Sequence, residues 1–445
     1  MLDKRRRIRR AFKCGVVASL MRQVMRSLTV LLAALSSTVF AQAPSPADKP
    51  KQLAQIIVRA AHLLDVKSGK VVNKAVVIVE GERIKAVGTE LPAPKDATVI
   101  DLGDATMLPG LIDCHTHLLA SGPSDYRLML VTKSQAYRAI EGVSNARRTL
   151  HAGFTSVRDV ESEGAGYADV ALRDAINRGL VEGPRMKVAT RAIAALGQYQ
   201  PFGVSPDLVD FPRGAQMVSG VEEARKAVRE QVGNGADLIK IYADWRYPTL
   251  TVEEMRVIVE EAHKAGRTVA AHAITPDGIR NAVNAGVDSI EHGTRADRAT
   301  LELMKQKGVW LIGTHGVRLN SLANAKDDEA RSRANEGVLD SQKMLKSARE
   351  LGVKIASGYD AFEPDMQGTN AREIVALTTA GFTNLEALRA ATVNGAELLG
   401  WEVGSLEAGK LADIVATAGN PLLDIKQVER VLFVMKGGVV VKNER

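Results

Sequence analysis

The stretch Met107-Leu-Pro-Gly-Leu-Ile-Asp-Cys-His-Thr-His117 closes one style of sequence and opens another. Upstream, from residue 56 to about 108, short Val- and Ile-rich runs (56–58, 75–80, 84–87, 98–102) are separated by turn residues, the pattern of antiparallel strands. Downstream the chain alternates strand-like and helix-like segments, the mark of a parallel sheet. Within the stretch itself, His115 and His117 stand two residues apart at the end of an apolar run. Side chains alternate faces along a strand, so the pair points one way and is able to grip one metal ion.

Working outward, eight parallel strand candidates can be counted: 111–117, 155–160, 186–192, 238–243, 268–273, 289–293, 309–315 and 354–360. Amphipathic segments such as 221–232, 251–265 and 341–351 lie between them, several followed by a capping glycine. Eight such units predict an α/β fold, a (β/α)8 TIM barrel over 109–404 whose active site gathers at the C-terminal strand ends. The chain's last part returns to the strand-rich style at 413–417 and 428–441. Residues 56–108 and 405–445 are therefore expected to meet in one small β-domain, a β-sandwich, with the barrel inserted between its halves.

Charge narrows the function. The 445-residue chain holds 59 Lys/Arg against 52 Asp/Glu, a net +7. Nine of those bases (Lys4, Arg5, Arg6, Arg7, Arg9, Arg10, Lys13, Arg22 and Arg26) and one acid (Asp3) fall in residues 1–41, leaving 50 basic and 51 acidic residues beyond. The basic character belongs to the leader, and a nucleic-acid role loses its support. The leader itself, with an apolar stretch over 27–41 ending in Val39 and Ala41, reads as a signal peptide of an exported protein, periplasmic or secreted, with no membrane association after its removal. Residues 42–55 read as a flexible lead-in. Cys14 and Cys114 are the only cysteines and one lies in the leader, so no disulfide framework is expected.

The C-terminal ends of the strand candidates carry His115 and His117, Lys240, His272, His292 and Asp360. In Asp237-Leu-Ile-Lys-Ile-Tyr-Ala243, Ile239 and Ile241 share one face while Leu238, Lys240 and Tyr242 share the other. If the isoleucines meet the outer helices, Lys240 points its ammonium into the barrel mouth, where an unpaired charge is costly. Carboxylation by carbon dioxide would convert it to an anionic carbamate able to bridge two metals.

These residues resemble the metal-dependent amidohydrolase superfamily, in particular its imidazolonepropionase-like and prolidase-like branches. The likeness extends from the Leu-Pro-Gly-Leu-Ile-Asp-Cys-His-Thr-His117 entry to the exit Gly404-Ser-Leu-Glu-Ala-Gly-Lys-Leu-Ala-Asp-Ile-Val415. It implies two divalent metal ions. His115, His117 and Asp360 would hold the more buried one, His272 and His292 the more exposed one, and carboxylated Lys240 would lie between them. Zinc is the expected metal, although manganese, cobalt or iron would suit the same ligands. The implied chemistry is attack by metal-activated water on an amide carbonyl, with Asp360 as general acid and base. Relatives of this kind cleave dipeptides such as Xaa-Pro, N-acyl amino acids and, in some similar exported proteins, ochratoxin A. They often form homo-oligomers, so a homo-oligomer acting on a small amide or peptide is expected.

Three further residues are candidates for holding substrate: Tyr242, which shares the face of Lys240; His315, at the end of the seventh strand; and Arg158, for which an ion pair with a neighbour is the simpler account. Tyr359 stands before Asp360 where many relatives carry threonine, a change expected to reshape the pocket wall. His62, His151, His263 and Cys114 read as structural. Two rival functions remain: ring opening of a cyclic amide, as in imidazolonepropionase, and a non-catalytic binding protein on the same scaffold. The second should have lost ligands, and none of the six is missing.

Overall fold

The first and last strands of the described residues enter one eight-stranded sheet in the computed structural model, which describes residues 55–444 except 93, 95, 121–125, 198–203, 206, 209–210 and 246. From the upstream half come β1 (Gln55–Asp65), β2 (Lys70–Glu80), β3 (Arg83–Gly88), β4 (Thr98–Asp101) and β5 (Thr106–Pro109). After them follow β6 (Leu111–Thr116), β7 (Phe154–Asp159), β8 (Arg185–Val188), β9 (Ile193–Ala195), β10 (Gln216–Val218), β11 (Leu238–Tyr242), β12 (Thr268–Ala273), β13 (Ser289–His292) and β14 (Trp310–Ile312). The chain closes with β15 (Ile414–Thr417), β16 (Val431–Lys436) and β17 (Val439–Asn443). The eight-stranded sheet runs β17-β16-β15-β5-β1-β2-β3, with β4 beside β1. The join is β5 against β15, where Leu108 faces Val415 and Met107 faces Ala416. Val58, Val77, Ile84, Met107, Ile414 and Phe433 form one buried cluster on this sheet. Full burial of such a side chain contributes roughly 1.5–3 kcal/mol. The leader and most of the lead-in lie outside the described residues, and among those described no helix is long and apolar enough to cross a membrane.

The alternating middle forms two parallel sheets with helices packed on them, β6-β7-β8 and β10-β9-β11-β12-β13-β14. Its first, second and fourth to seventh strands lie within a few residues of their expected places. The third differs: the expected 186–192 is broken into β8 and β9 at Thr190, whose φ of +62° cannot continue a ladder. The break is held by Asp169, whose Oδ2 accepts the Thr190 amide at 2.7 Å, and by Gln231, whose Oε1 accepts the Thr190 hydroxyl at 2.8 Å. β8 keeps its pairing with β7, and β9 crosses to β11. Below the break the Asp237 amide donates to the Val188 carbonyl at 2.8 Å.

The eighth segment is likewise looser than a strand. It touches β14 by one parallel bridge, Leu311 to Ile355, and β6 through Cys114 N–H to Ser357 O (2.8 Å) and Asp360 N–H to His115 O (2.9 Å). Side-chain parity on β11 is as expected: Ile239 and Ile241 join the large core shared with the helices, while Leu238 packs with Val160, Ala189 and Ala270 on the opposite face. The helices start and stop on local signals, for example the Thr251–Glu254 capping box of the helix Val252–Lys264. The amphipathic segment expected over 341–351 is the last half of a longer helix, Asp328–Leu351, whose first turns are polar and carry no apolar stripe to announce them.

Candidate active site

His115, at the end of β6, and His117, just beyond it, face the same cavity with ring centroids 5.2 Å apart. Lys240, His272, His292 and Asp360 line the same cavity, of about 420 Å³. The structure thus brings together all six residues singled out at the strand ends. His117 Nε2 and His115 Nε2 lie 3.3 and 3.6 Å from Asp360 Oδ1, and His292 Nδ1 lies 3.9 Å from Oδ2. One ligand atom each of His115, His292 and Asp360 fit within 4.8 Å of one another. The His272 and His292 rings are 4.6 Å apart. His292 and Asp360 reach inward through left-handed backbone, φ +70° and +61°, as do Glu163 (+52°) and Thr314 (+45°) on the cavity wall. Such conformations cost of order 1–3 kcal/mol each in a non-glycine residue and cluster at functional sites.

Carboxylates behind the histidines fix how the rings face. Glu291 Oε2 accepts from His115 Nδ1 at 2.7 Å, and Glu163 lies 3.2 Å from His117 Nδ1, so in both rings Nε2 is turned toward Asp360. Burial and the nearby Lys240 push His115 down to about 4. His272 and His292 are also pushed far below the usual range, by burial and then by Lys240 and His272 respectively. These three rings therefore present neutral nitrogens. Burial opposes the charged form of His117, but Glu163 and Asp360 overcome it and raise the ring to about 10. Asp360 is held at about 2: its burial is outweighed by His115 and His117.

Two features leave the site chemically incomplete as protein alone. The Nε2 of His272 is buried without a hydrogen-bond partner among the described residues. Lys240 is buried, with no carboxylate within 4.0 Å of its Nζ among the described residues; desolvation lowers its pKa, favouring the neutral amine that reacts with carbon dioxide. Three neutral imidazoles, a carboxylate and a buried lysine on one cavity fit divalent metal ions, whose binding would displace the proton of His117.

The substrate-binding candidates divide. Tyr242 lines the cavity, stacks on Trp245 (5.1 Å, 22°) and donates its hydroxyl to Glu161 at 2.6 Å. His315 does not line it. The ring opens the helix His315–Ala323 and turns away, with Nδ1 3.1 Å from Ser341 Oγ and Nε2 3.2 Å from Thr379 Oγ1. Arg158 is spent within the fold, donating to Cys114 O, Ser289 Oγ and Glu291 Oε1 at 2.6, 3.0 and 2.7 Å. Tyr359 is buried off the cavity beside Ala361 and Met366, so it shapes the support and not the wall. Cys114 packs with Ile112 and Trp310, away from the site. Sequence reasoning missed Glu163 and Glu291, which meet the His117 and His115 rings, and Trp245, Phe362 and Arg318, which line the cavity.

This geometry defines an amidohydrolase. The chain belongs to the amidohydrolase family, whose model matches residues 106–441. It is 32% identical to ochratoxinase of Aspergillus niger over 437 residues, 87% of each chain. It is 26% identical to imidazolonepropionase of Shouchella clausii over 426 residues, 85% of this chain and 87% of that one. Among solved structures it resembles a Xaa-Pro dipeptidase with methionine bound in its active site, with 34% identity and a TM-score of 0.80 over 87% of this chain and 99% of the other. The protein is a hydrolase, of a family that typically uses divalent metals and acts on small molecules.

Proposed function

We propose that the protein cleaves the amide bond of small peptides or N-acyl amino acids with two divalent metal ions, zinc by ligand type, held by His115, His117, Lys240 as its carbamate, His272, His292 and Asp360. The observation that carries this reading is the convergence of these six side chains on one cavity, with the buried Nε2 of His272 lacking a partner. The ochratoxinase likeness and the methionine-bound dipeptidase support an amide whose leaving group is an amino acid. Bound metals supply water that ionises near neutral pH and an electrophile for the carbonyl.

Asp360, within 3.3–3.6 Å of His117 and His115, is the base that takes the proton of the attacking water at its carboxylate. It then passes that proton to the amide nitrogen as the C–N bond breaks. Glu291 and Glu163 keep the His115 and His117 rings in orientation, and Tyr242 with Trp245 forms an aromatic wall that excludes water from the reacting bond. In the same reading the eight parallel segments close as a (β/α)8 barrel over 109–404, and residues 56–108 with 405–445 wrap their sheet into a small sandwich. The leader over 1–41 directs export.

The test is metal analysis of the purified protein joined to a screen of dipeptides and N-acyl amino acids. About two metals per chain, release of two products, and loss of activity on chelation and in Asp360→Asn are expected. Full activity of a metal-free Asp360→Asn protein would sink the reading, and a single ring-opened product would move it to cyclic amides.

A further inference from the structure

Arg318 lines the cavity from the helix His315–Ala323, and its guanidinium has no carboxylate within 4.0 Å among the described residues. Its Nη2 donates to the Thr294 hydroxyl, two residues beyond His292, while its Nε is buried with no hydrogen-bond partner. The acids nearest in charge are already committed. Asp340 pairs with Arg295 at 3.6 Å, Glu373 accepts the backbone N–H groups of His315 and Gly316, and Asp360 belongs to the histidine cluster. Burial accordingly opposes the charge on Arg318, with only the distant Asp360, Asp340 and Glu373 favouring it.

A guanidinium carries five donors in a planar fork matched to a carboxylate, and leaving it desolvated and unpaired is costly. Among the described residues, two long cationic side chains line the cavity wall, and Lys240 gives up its positive charge when carboxylated, so of these two Arg318 is the cation left to an incoming anion. Apolar neighbours Val317 and Ile274 line the wall with it, suiting the side chain of an apolar amino acid. The hydroxyl of Tyr242, already given to Glu161, is a poorer anchor for an anion than a free fork.

We propose that Arg318 is the specificity-determining residue of this site: it pairs with the free carboxylate of the substrate's amino-acid part, so the enzyme selects amides that end in a carboxylate over their neutral counterparts. The proposal rests on the amide-hydrolase reading for its catalytic consequence and on the cavity alone for its binding consequence.

Two measurements on the metal-loaded protein separate these. Calorimetric titration compares L-methionine with L-methioninamide, and kinetics compares N-acetyl-L-methionine with N-acetyl-L-methioninamide. The wild type is expected to favour the acid in both. In Arg318→Met the acid should lose about 100-fold in affinity and in kcat/KM, chiefly through KM, so that the acid-to-carboxamide ratio collapses toward one. Arg318→Lys should recover part of the ratio, since it keeps the charge and loses the fork. Equal losses on acid and carboxamide, or an unchanged ratio, overturn the proposal in favour of an oxyanion or structural role. So does a wild type that binds L-methionine no better than its amide. A wild type that binds L-methionine through Arg318 yet hydrolyses neither these compounds nor any dipeptide of the screen removes the amidase reading and leaves the anion site standing.

Discussion

Glu291 Oε2 and His115 Nδ1 lie 2.7 Å apart in the interior, and the other oxygen of the same carboxylate receives Arg158 Nη2, also at 2.7 Å. Burial works against an ionised Glu291, yet Arg158 and His115 outweigh it and hold the carboxyl far below the usual range. The carboxylate therefore does two jobs: it turns His115 Nε2 toward the site and neutralises a buried guanidinium. Glu291→Gln should weaken metal retention about 10–100-fold, measured by competition with a chelator. Arg158→Met, which leaves Glu291 as a buried charge without its partner, should cost about 3–5 kcal/mol in denaturant unfolding. Wild-type metal affinity in Glu291→Gln would show that His115 needs no such support.

Lys240 gives the second prediction. Burial lowers the pKa of Lys240, which has no carboxylate within 4.0 Å among the described residues, and so favours the neutral amine that reacts with carbon dioxide. Metal-free protein reloaded with zinc should gain activity as bicarbonate is raised, and 13C-bicarbonate should yield a carbamate signal absent from Lys240→Ala. That variant should hold less metal and fall to the activity of chelated enzyme. Undiminished metal content and activity in Lys240→Ala would remove the bridging role.

Much of this site could be read from the chain because all six central residues stand at or near segment ends in strand order, and alternation by itself gives the facing of His115, Lys240 and His272. Lys240 is the clearest case, its face fixed by Ile239 and Ile241 turning to the core. What escaped reading depends on broken alternation or on distance in sequence. Strand parity sets Glu291 on the face opposite His292, but the left-handed turn at His292 lets both point inward. The apolar pattern puts His315 at a strand end, whereas β14 stops at Ile312 and the left-handed Thr314 turns the next residue into a helix that buries its ring. That same turn brings Arg318 to the cavity from a helix, where no strand pattern marks it. Thr190 splits the third strand through bonds to Asp169 and Gln231, partners 21 and 41 residues away.

Tyr242 and Glu161 supply the third prediction. The hydroxyl donates to the carboxylate at 2.6 Å, while the ring stands 4.9 Å from that of His272. Tyr242→Phe removes a donor from a buried carboxylate but keeps the aromatic wall, so it should cost about 1–3 kcal/mol of stability in denaturant unfolding and lower kcat/KM less than Tyr242→Ala does. An unfolding midpoint unchanged in Tyr242→Phe would mean that the bond adds nothing to stability, and equal kinetic losses in the two variants would assign the function to the hydroxyl.

The fourth prediction concerns pH and the helix that carries Arg318. Glu373 accepts the His315 amide at 3.1 Å and the Gly316 amide as well, yet burial prevails over these bonds and raises its carboxyl from 4.5 to about 8. A carboxyl raised in the folded state binds its proton more tightly there than in the unfolded chain. Its favourable contribution is complete below about pH 4.5 and is lost as pH rises toward 8. Glu373→Gln stays neutral throughout and escapes that loss. The difference in Tm, variant minus wild type, should therefore become more positive between pH 4.5 and 8 and level off above. A difference that stays flat across this window, followed by scanning calorimetry in matched buffers, would show that Glu373 is ionised in the fold at all these pH values and that the two amides outweigh its burial.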